Sequence, residues 1–357
     1  MSQPNYPGYE DREEDFSTSD EELQNYLEQL RVKIMIFGAG GAGSNTINRL
    51  MKEGINGATM IACNTDAPHL LKTKANHKIL MGKSLTRGLG SGADPRIGEL
   101  AAKESDQEIM RYIAGTDIAF ITAGLGGGTG TGSAPYIASR SKDSGALTIS
   151  VVTLPFKSEG KVRMENATQG LSRLSNYSDT VIIIPNDKLL ELVPDLPLEK
   201  AFRFADEIIV KAITGISDLV TKPGLINLDF NDLRTIMKDS GIAMIGIGMS
   251  SAEPGLRVEE AVHKALNSPF LKLDMSNSSG VIINITGGTD LQLEESSSAA
   301  DMIRKLVGKG TQIIWGATVD PKYTGSVEVL VVATGLSYTE IQNMGQQTNK
   351  DTGVDTI

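Results

Sequence analysis

A single cysteine in 357 residues, Cys63, excludes an intrachain disulfide and predicts a reducing setting. The three histidines, His69, His77 and His263, lack metal-ligand spacing, so no structural zinc site is visible. No apolar run approaches the ~20 residues of a membrane helix, and the first residues are acidic rather than signal-like. Positive charge is also short: 34 Lys and Arg against 44 Asp and Glu leave a formal charge of −10. That balance argues against nucleic acid as a partner and against a polybasic membrane surface. The expectation is a soluble cytoplasmic protein without direct membrane insertion.

Glycine is abundant, and it is concentrated. Gly124-Leu125-Gly126-Gly127-Gly128-Thr129-Gly130-Thr131-Gly132 follows an apolar run over 117–123 that reads as a buried strand. It leads into a helix start over 133–138, with Pro135 in its first turn. A turn needs one or two glycines. This many suits a backbone that comes close to an anion, with unhindered N–H groups and a helix dipole aimed at it.

A first glycine loop, Gly38-Ala39-Gly40-Gly41-Ala42-Gly43, lies between a strand-like run over 32–37 and a helix over 44–52. Gly38, Gly40 and Gly43 fit G-x-G-x-x-G, and Asp66 ends the next strand about where a dinucleotide fold holds a ribose. An NAD-dependent oxidoreductase is therefore one reading. Two glycine cradles on one sheet favour a longer phosphate chain, such as a nucleoside triphosphate. The Gly82-Lys83-Ser84 triplet is not a Walker loop, because His77 stands where that motif needs its first glycine. Lys83 reads as a surface lysine.

Residues 1–30 form an N-terminal extension with a short helix over 19–30, where Ser19 and Glu22 have capping-box spacing. From 31 to 197, strand-like runs over 32–37, 59–64, 117–123, 147–154 and 180–185 alternate with helical stretches. Such alternation predicts a parallel sheet covered on both faces, with ligands at the carboxyl ends of its strands. Residues 198–221 then keep helical spacing and Pro223-Gly224 ends the run, so that 198–222 reads as a connecting helix of about 35 Å. Helices over 231–239, 257–267 and 294–307 and strands over 241–248, 280–286, 312–318 and 326–333 follow within 223–337. The last two strands are expected to be antiparallel neighbours in a smaller mixed-sheet domain. Residues 338–357 read as a polar tail. The fold class expected is α/β, a parallel-sheet nucleotide-binding domain joined by a long central helix to a smaller mixed-sheet α/β domain.

In this context GGGTGTG resembles the tubulin signature loop in the form found in the FtsZ family, the tubulin-like division GTPases. The likeness runs through Asn64-Thr65-Asp66, the segments over 87–95 and 155–163, Ile184-Pro185-Asn186-Asp187 and the segment over 224–232. The wording around Lys83–Asp94 is similar to archaeal members. The resemblance implies GTP as substrate and GDP as product, with Mg²⁺ held mainly by the phosphates and water. It implies phosphate and base contacts from Gly40, Gly41, Ala42, Gly43 and Asn45. Gly128, Thr129 and Gly130 would hold the β and γ phosphates, Gly126, Gly127 and Thr131 of the same loop would bind nucleotide with them, and Ala93 would close over the γ-phosphate. Glu159 and Arg163 match the pair at the ribose and phosphate region. Phe202 and Asp206 would stack on guanine and accept from it; an acidic acceptor suits guanine's N1–H and 2-amino donors, which adenine lacks. Taken without the resemblance, Phe202 fits core packing equally well.

Asp229 and Asp232, read locally, are acidic residues at a helix start, where they cap it and complement its dipole. The resemblance implies instead that this loop enters the nucleotide pocket of the next subunit. There the two carboxylates position the attacking water, with Asn227 orienting them. The implied partner is the chain itself, in a head-to-tail polymer at the mid-cell division site. A filament protein that binds GTP but hydrolyses it little is the alternative. The segment over 346–357 lacks the apolar–basic peptide with which bacterial members dock membrane anchors, so anchor and division partners stay unidentified.

Overall fold

The computed structural model describes residues 31–336, apart from 56, 193–196, 223–224, 227 and 272–274. The expected helix over 19–30, the tail over 338–357, Pro223-Gly224 and Asn227 lie outside the described residues.

The first half runs β1 (Ile34–Ala39), α1 (Gly40–Glu53), β2 (Ala58–Asn64), α2 (Ala67–Lys72), β3 (His77–Leu80), α3 (Lys83–Thr86), α4 (Pro95–Glu104) and α5 (Asp106–Ile113). It continues with β4 (Ile118–Gly124), α6 (Thr129–Asp143), β5 (Leu147–Leu154), α7 (Lys161–Tyr177), β6 (Thr180–Pro185) and α8 (Leu189–Leu192). After the long α9 (Leu198–Thr221) come α10 (Phe230–Met237), β7 (Gly241–Ser250) and α11 (Arg257–Leu266). The last described elements are β8 (Gly280–Gly287), α12 (Leu293–Arg304), β9 (Gln312–Val319) and β10 (Val327–Leu336).

The strands make one ten-stranded sheet in the order β3-β2-β1-β4-β5-β6-β7-β10-β8-β9. The strands β1 to β6 are parallel, with Ile34 of β1 opposite both Ala58 and Ile118. Nearly every residue of β1, β4 and β5 is buried, as a sheet covered on both faces requires. The two expected sheets are joined by three parallel pairs, Thr180 with Gly241, Val181 with Ile242 and Ile182 with Ala243.

One expected pairing is corrected. β9 and β10 are not neighbours: β8 lies between them, parallel to β9 and antiparallel to β10. The connection over 320–326 is long enough to step across one strand, a displacement of about 10 Å. The short edge strand β3 was not anticipated, because its four residues are too few to show a period.

The central helix α9 has the predicted bounds. Ala201, Ala205, Ile208, Ile209, Ala212, Ile213, Ile216 and Leu219 are buried in one stripe that joins the core beneath the sheet. Phe202, placed on that stripe by its spacing, stands 40% exposed. Two helix starts differ from expectation: α1 begins at Gly40 and α6 at Thr129, which puts Pro135 inside the helix rather than in its first turn. The glycines look like loop by propensity, yet α6 packs so closely on α4 that a Cβ on Gly132 would overlap Pro95 and Glu99. Cys63 is fully buried, and burial pushes its thiol up to about 12, which leaves no reactive thiolate.

Candidate functional site

The carboxyl ends of five parallel strands open onto one cavity of about 440 Å³. Gly41 and Ala42 reach it after β1, Asn64 and Asp66 after β2, and Gly127 to Gly130 after β4. Thr153 near the end of β5, Pro155 just after it and Asn186 after β6 also line it, while Phe202, Ala205 and Asp206 come from the first turns of α9.

One wall is built for an anion. α1 and α6 both begin at this wall, and neither has a side-chain cap or an acidic residue in its first turn. Their first N–H groups are therefore left for a ligand, and both helix dipoles present their positive ends. A Cβ on Gly41 or Gly127 would meet no protein atom, so these backbones face open space. Gly40, with φ +72°, instead supports the wall from behind, with a Cβ there only 2.7 Å from the nitrogen of Gly130, which does line the cavity. Gly43 is buried against β4 and does not line the cavity.

Thr129 is held by its hydroxyl at the head of α6, 2.6 Å from Thr65 Oγ1 and 2.9 Å from Ser91 Oγ. Thr131 does not line the cavity. Its Oγ1 accepts from the Gly126 N–H at 2.9 Å, so Thr131 and Gly126 brace the loop internally. Ala93 does line it, in the left-handed region at φ +61°, where a side chain is strained. Asn166 Nδ2 donates to the carbonyls of both Ala93 and Gly126, at 3.4 Å each, and ties the two loops together.

The opposite end has a different chemistry. Phe156 meets Phe202 edge-on, and the Phe202 ring keeps an open face. Asp206 lies 3.6 Å from Arg49, and burial pushes its carboxyl up to about 6; Arg49 opposes that rise and Glu207 adds to it. Arg163 Nη1 donates to Glu159 Oε2 at 2.5 Å, and Glu159 Oε1 accepts from the Phe156 N–H. Asn186 Oδ1 is buried without a protein partner, an acceptor left for a ligand donor. Asp66 caps α2, its Oδ1 accepting from the His69 N–H at 2.9 Å.

Asn45 stands apart from this cavity. With Phe202 and Asp206 it lines an adjoining groove of about 660 Å³. His69, Thr65, Ser91 and Asn166 were not singled out from the sequence. His69 was weighed only as a metal ligand, and nothing in a spacing pattern shows that it stands between Asn64 and Asn45.

Asp229 and Asp232 are far from both. Asp229 caps α10, its Oδ1 accepting from the Asn231 N–H at 3.1 Å, and both carboxylates are exposed. Their loop is tied to the distal end of α9, where the Leu228 N–H bonds to the Leu219 carbonyl. Leu219 is 17 positions beyond Phe202 on a continuous helix, a separation of about 25 Å. The structure thus brings the glycine loops and Phe202 together and leaves the acidic pair out.

A cavity with an anion wall at one end and an open aromatic face beside a carboxylate at the other takes a nucleotide, and its class is a nucleotide-binding α/β protein. A family model described as the Tubulin/FtsZ family, GTPase domain, matches residues 33–194, and one for the FtsZ family, C-terminal domain, matches 241–337. Cell division protein FtsZ 1 of Pyrococcus furiosus is 54% identical over 321 residues, which is 90% of this chain and 86% of that one. Its counterpart from Archaeoglobus fulgidus is 48% identical over 96% of this chain and 93% of its own length. An empty FtsZ dimer of M. jannaschii superposes with a TM-score of 0.85 at 53% identity, covering 89% of this chain and 92% of that one. The chain belongs to the tubulin/FtsZ family, as a GTPase of cell division. It is not an NAD-dependent oxidoreductase.

Proposed function

We propose that this chain polymerises head-to-tail and hydrolyses GTP in sites that two neighbouring copies complete. The observation that carries the reading is the separation of about 25 Å along α9 between the base end of the cavity and the loop bearing Asp229 and Asp232. Carboxylates that far away cannot act on a nucleotide in their own chain, whereas a copy stacked along the helix axis delivers them to its neighbour.

In this reading the α1 and α6 N-termini, with Gly41, Ala42 and Gly127 to Gly130, hold the phosphates. Gly40, Gly43, Gly126 and Thr131 shape that wall, and Ala93 closes over the γ-phosphate. Glu159, Arg163 and Asp66 meet the ribose region, and Asn45, Phe202 and Asp206 take the guanine. The neighbour's Asp229 and Asp232, oriented by Asn227, position a water. Its oxygen bonds to the γ-phosphorus as the bridging P–O bond breaks, GDP leaves with that electron pair, and the water's proton passes through a carboxylate to solvent. Residues 31–197 act as the nucleotide-binding domain, 198–222 as the connecting helix and 223–337 as the second domain.

Three carboxylates and one guanidinium line the cavity, a set that cannot by itself neutralise a triphosphate. Mg²⁺ arriving with the nucleotide would supply that charge. Among the described residues no group of three His, Cys, Asp or Glu side chains could hold the ion alone. The filament forms in the cytoplasm at the division site, with anchor and division partners still to be identified.

Phosphate release and light scattering, measured together across protein concentrations with GTP and Mg²⁺, test the reading. Specific activity should be negligible below a threshold and rise with assembly. Asp232→Ala should bind GTP and assemble yet hydrolyse slowly. Constant specific activity at all concentrations, or full turnover in that variant, overturns completion by a neighbour. Assembly without phosphate release leaves the structural-filament alternative.

A further inference from the structure

The contacts of His69 define its protonation and, through it, the orientation of a neighbouring amide. Asn64 Oδ1 accepts from two backbone N–H groups, Thr65 at 2.8 Å and Asp66 at 3.2 Å, so its other terminus is the NH₂ group. That Nδ2 lies 3.1 Å from His69 Nδ1. An amide nitrogen only donates, so Nδ1 must be the bare, accepting nitrogen and the ring proton sits on Nε2. His69 Nε2 in turn lies 3.2 Å from Asn45 Oδ1, to which it donates. With its oxygen engaged by His69, Asn45 has its NH₂ group left over for a ligand. Nor does any described protein group accept from it.

We propose that His69 is a positioning residue for base selection, one that locks the Asn45 amide with its donor end toward the ligand. The proposal rests on the guanine-nucleotide reading of the site and deepens it. Asn45 shares its groove with Phe202 and Asp206, so one aromatic face, one acceptor and one donor converge there. Asp206 matches the N1–H and 2-amino donors of guanine, and the locked Asn45 NH₂ matches its carbonyl acceptor. Adenine carries an amino group where guanine carries that carbonyl, and so meets donor with donor. An unlocked Asn45 turns over at little cost and offers its oxygen instead, which removes half of the discrimination.

The backbone needed for this relay is already fixed. Asp66 caps α2 through the His69 N–H, and Pro68 occupies its first turn, so the ring is carried on a preset helix start. The relay requires that residue 69 accept at one end and donate at the other. Neutral histidine does so, and so does glutamine, through its oxygen and its NH₂ group. Glutamate, equal to glutamine in size, can only accept. It would draw the Asn45 NH₂ group toward itself and turn the oxygen to the ligand.

The test compares the ratio of GTP to ATP affinity, measured with fluorescent analogues of both on the full chain, in native protein, His69→Gln, His69→Glu and Asn45→Asp. His69→Gln should keep the native ratio within about twofold. His69→Glu should lower it roughly tenfold, the effect of one reversed hydrogen bond. Asn45→Asp, which still accepts from His69 but has no donor, should lower it equally. That variant leaves α2 untouched, so it decides the matter even if His69→Glu fails to fold. Equal ratios in Gln and Glu variants, or an unchanged ratio in Asn45→Asp, overturn the proposal while GTP binding by native protein keeps the site reading intact. Absence of GTP binding by native protein overturns both.

Discussion

Phe156 and Phe202 meet edge-on, their ring centroids 5.3 Å apart and their planes at 78°. The first is buried in the core beneath the sheet and the second is the exposed member of the pair. This contact sets the Phe202 ring beside the cavity it lines, while its other side is open rather than enclosed with the buried stripe of α9.

Phe202→Ala should therefore leave stability nearly unchanged and weaken GTP binding by about tenfold, the loss of one aromatic stacking surface. Phe202→Tyr should retain the affinity. Titration with a fluorescent GTP analogue, paired with thermal unfolding, separates the two effects. A large drop in melting temperature with native affinity would return Phe202 to the core.

The Asp206 carboxyl, pushed up to about 6 by burial against the pull of Arg49, predicts a pH profile. Accepting from guanine needs the ionised form, so affinity should be level above pH 7 and fall as pH drops through 6. Below that value each further pH unit costs about a factor of ten. Asp206→Asn should bind more weakly than native protein above pH 7 and show a flatter profile between 5 and 7. Calorimetric titration across that range checks both statements.

Two glycine substitutions should behave in opposite ways. Gly41→Ala places a methyl group where no protein atom stands, on a helical residue, so the fold should hold while nucleotide affinity collapses. Gly132→Ala drives the same group into the backbone of α4 at Pro95 and Glu99, and should cost on the order of 1–3 kcal/mol or more of stability. Chemical unfolding with and without GTP distinguishes them: added GTP should raise the midpoint of native protein but not that of Gly41→Ala.

Away from the cavity, Arg257 is 1% exposed and is held between Glu295 at 3.0 Å and Asp290 at 2.5 Å. Burial pushes the Glu295 carboxyl up, but the hydrogen bonds from Arg257 and two backbone N–H groups outweigh it and hold the net value below the usual glutamate range. Its contribution is thus present at neutral pH and is lost as pH falls through the depressed folded-state value. Arg257→Ala should destabilise by about 3–5 kcal/mol, because it leaves Glu295 buried without its counter-charge. Urea unfolding at pH 7 measures the loss, and full native stability in the variant would remove this cluster from the fold's support.

Much of this was legible because the relevant signals are local. The period of 3.6 placed α9 at its observed bounds, and glycine density marked both loops that wall the cavity. Helix starts were misplaced where tertiary packing overrode propensity, as at Thr129, where α4 demands glycines inside a helix. The β8–β9–β10 order was missed because strand neighbours are set by pairing partners far off in the chain. Phe202 could be read as core or as ligand contact, since a helical pattern gives a face but not what lies opposite its first turn. His69 was invisible as a relay because its partners, Asn64 and Asn45, are joined only by the pairing of β1 with β2.

The length of α9 has a consequence for counting. On the proposed mechanism a head-to-tail row of n chains contains n cavities but only n − 1 complete sites. The nucleotide in the chain whose cavity faces solvent has no neighbour to break it. Each filament would then keep one unspent GTP at a fixed end, whatever its length. Shorter filaments would carry a larger share of it, so severing a long filament would raise the stored fraction without any new nucleotide binding.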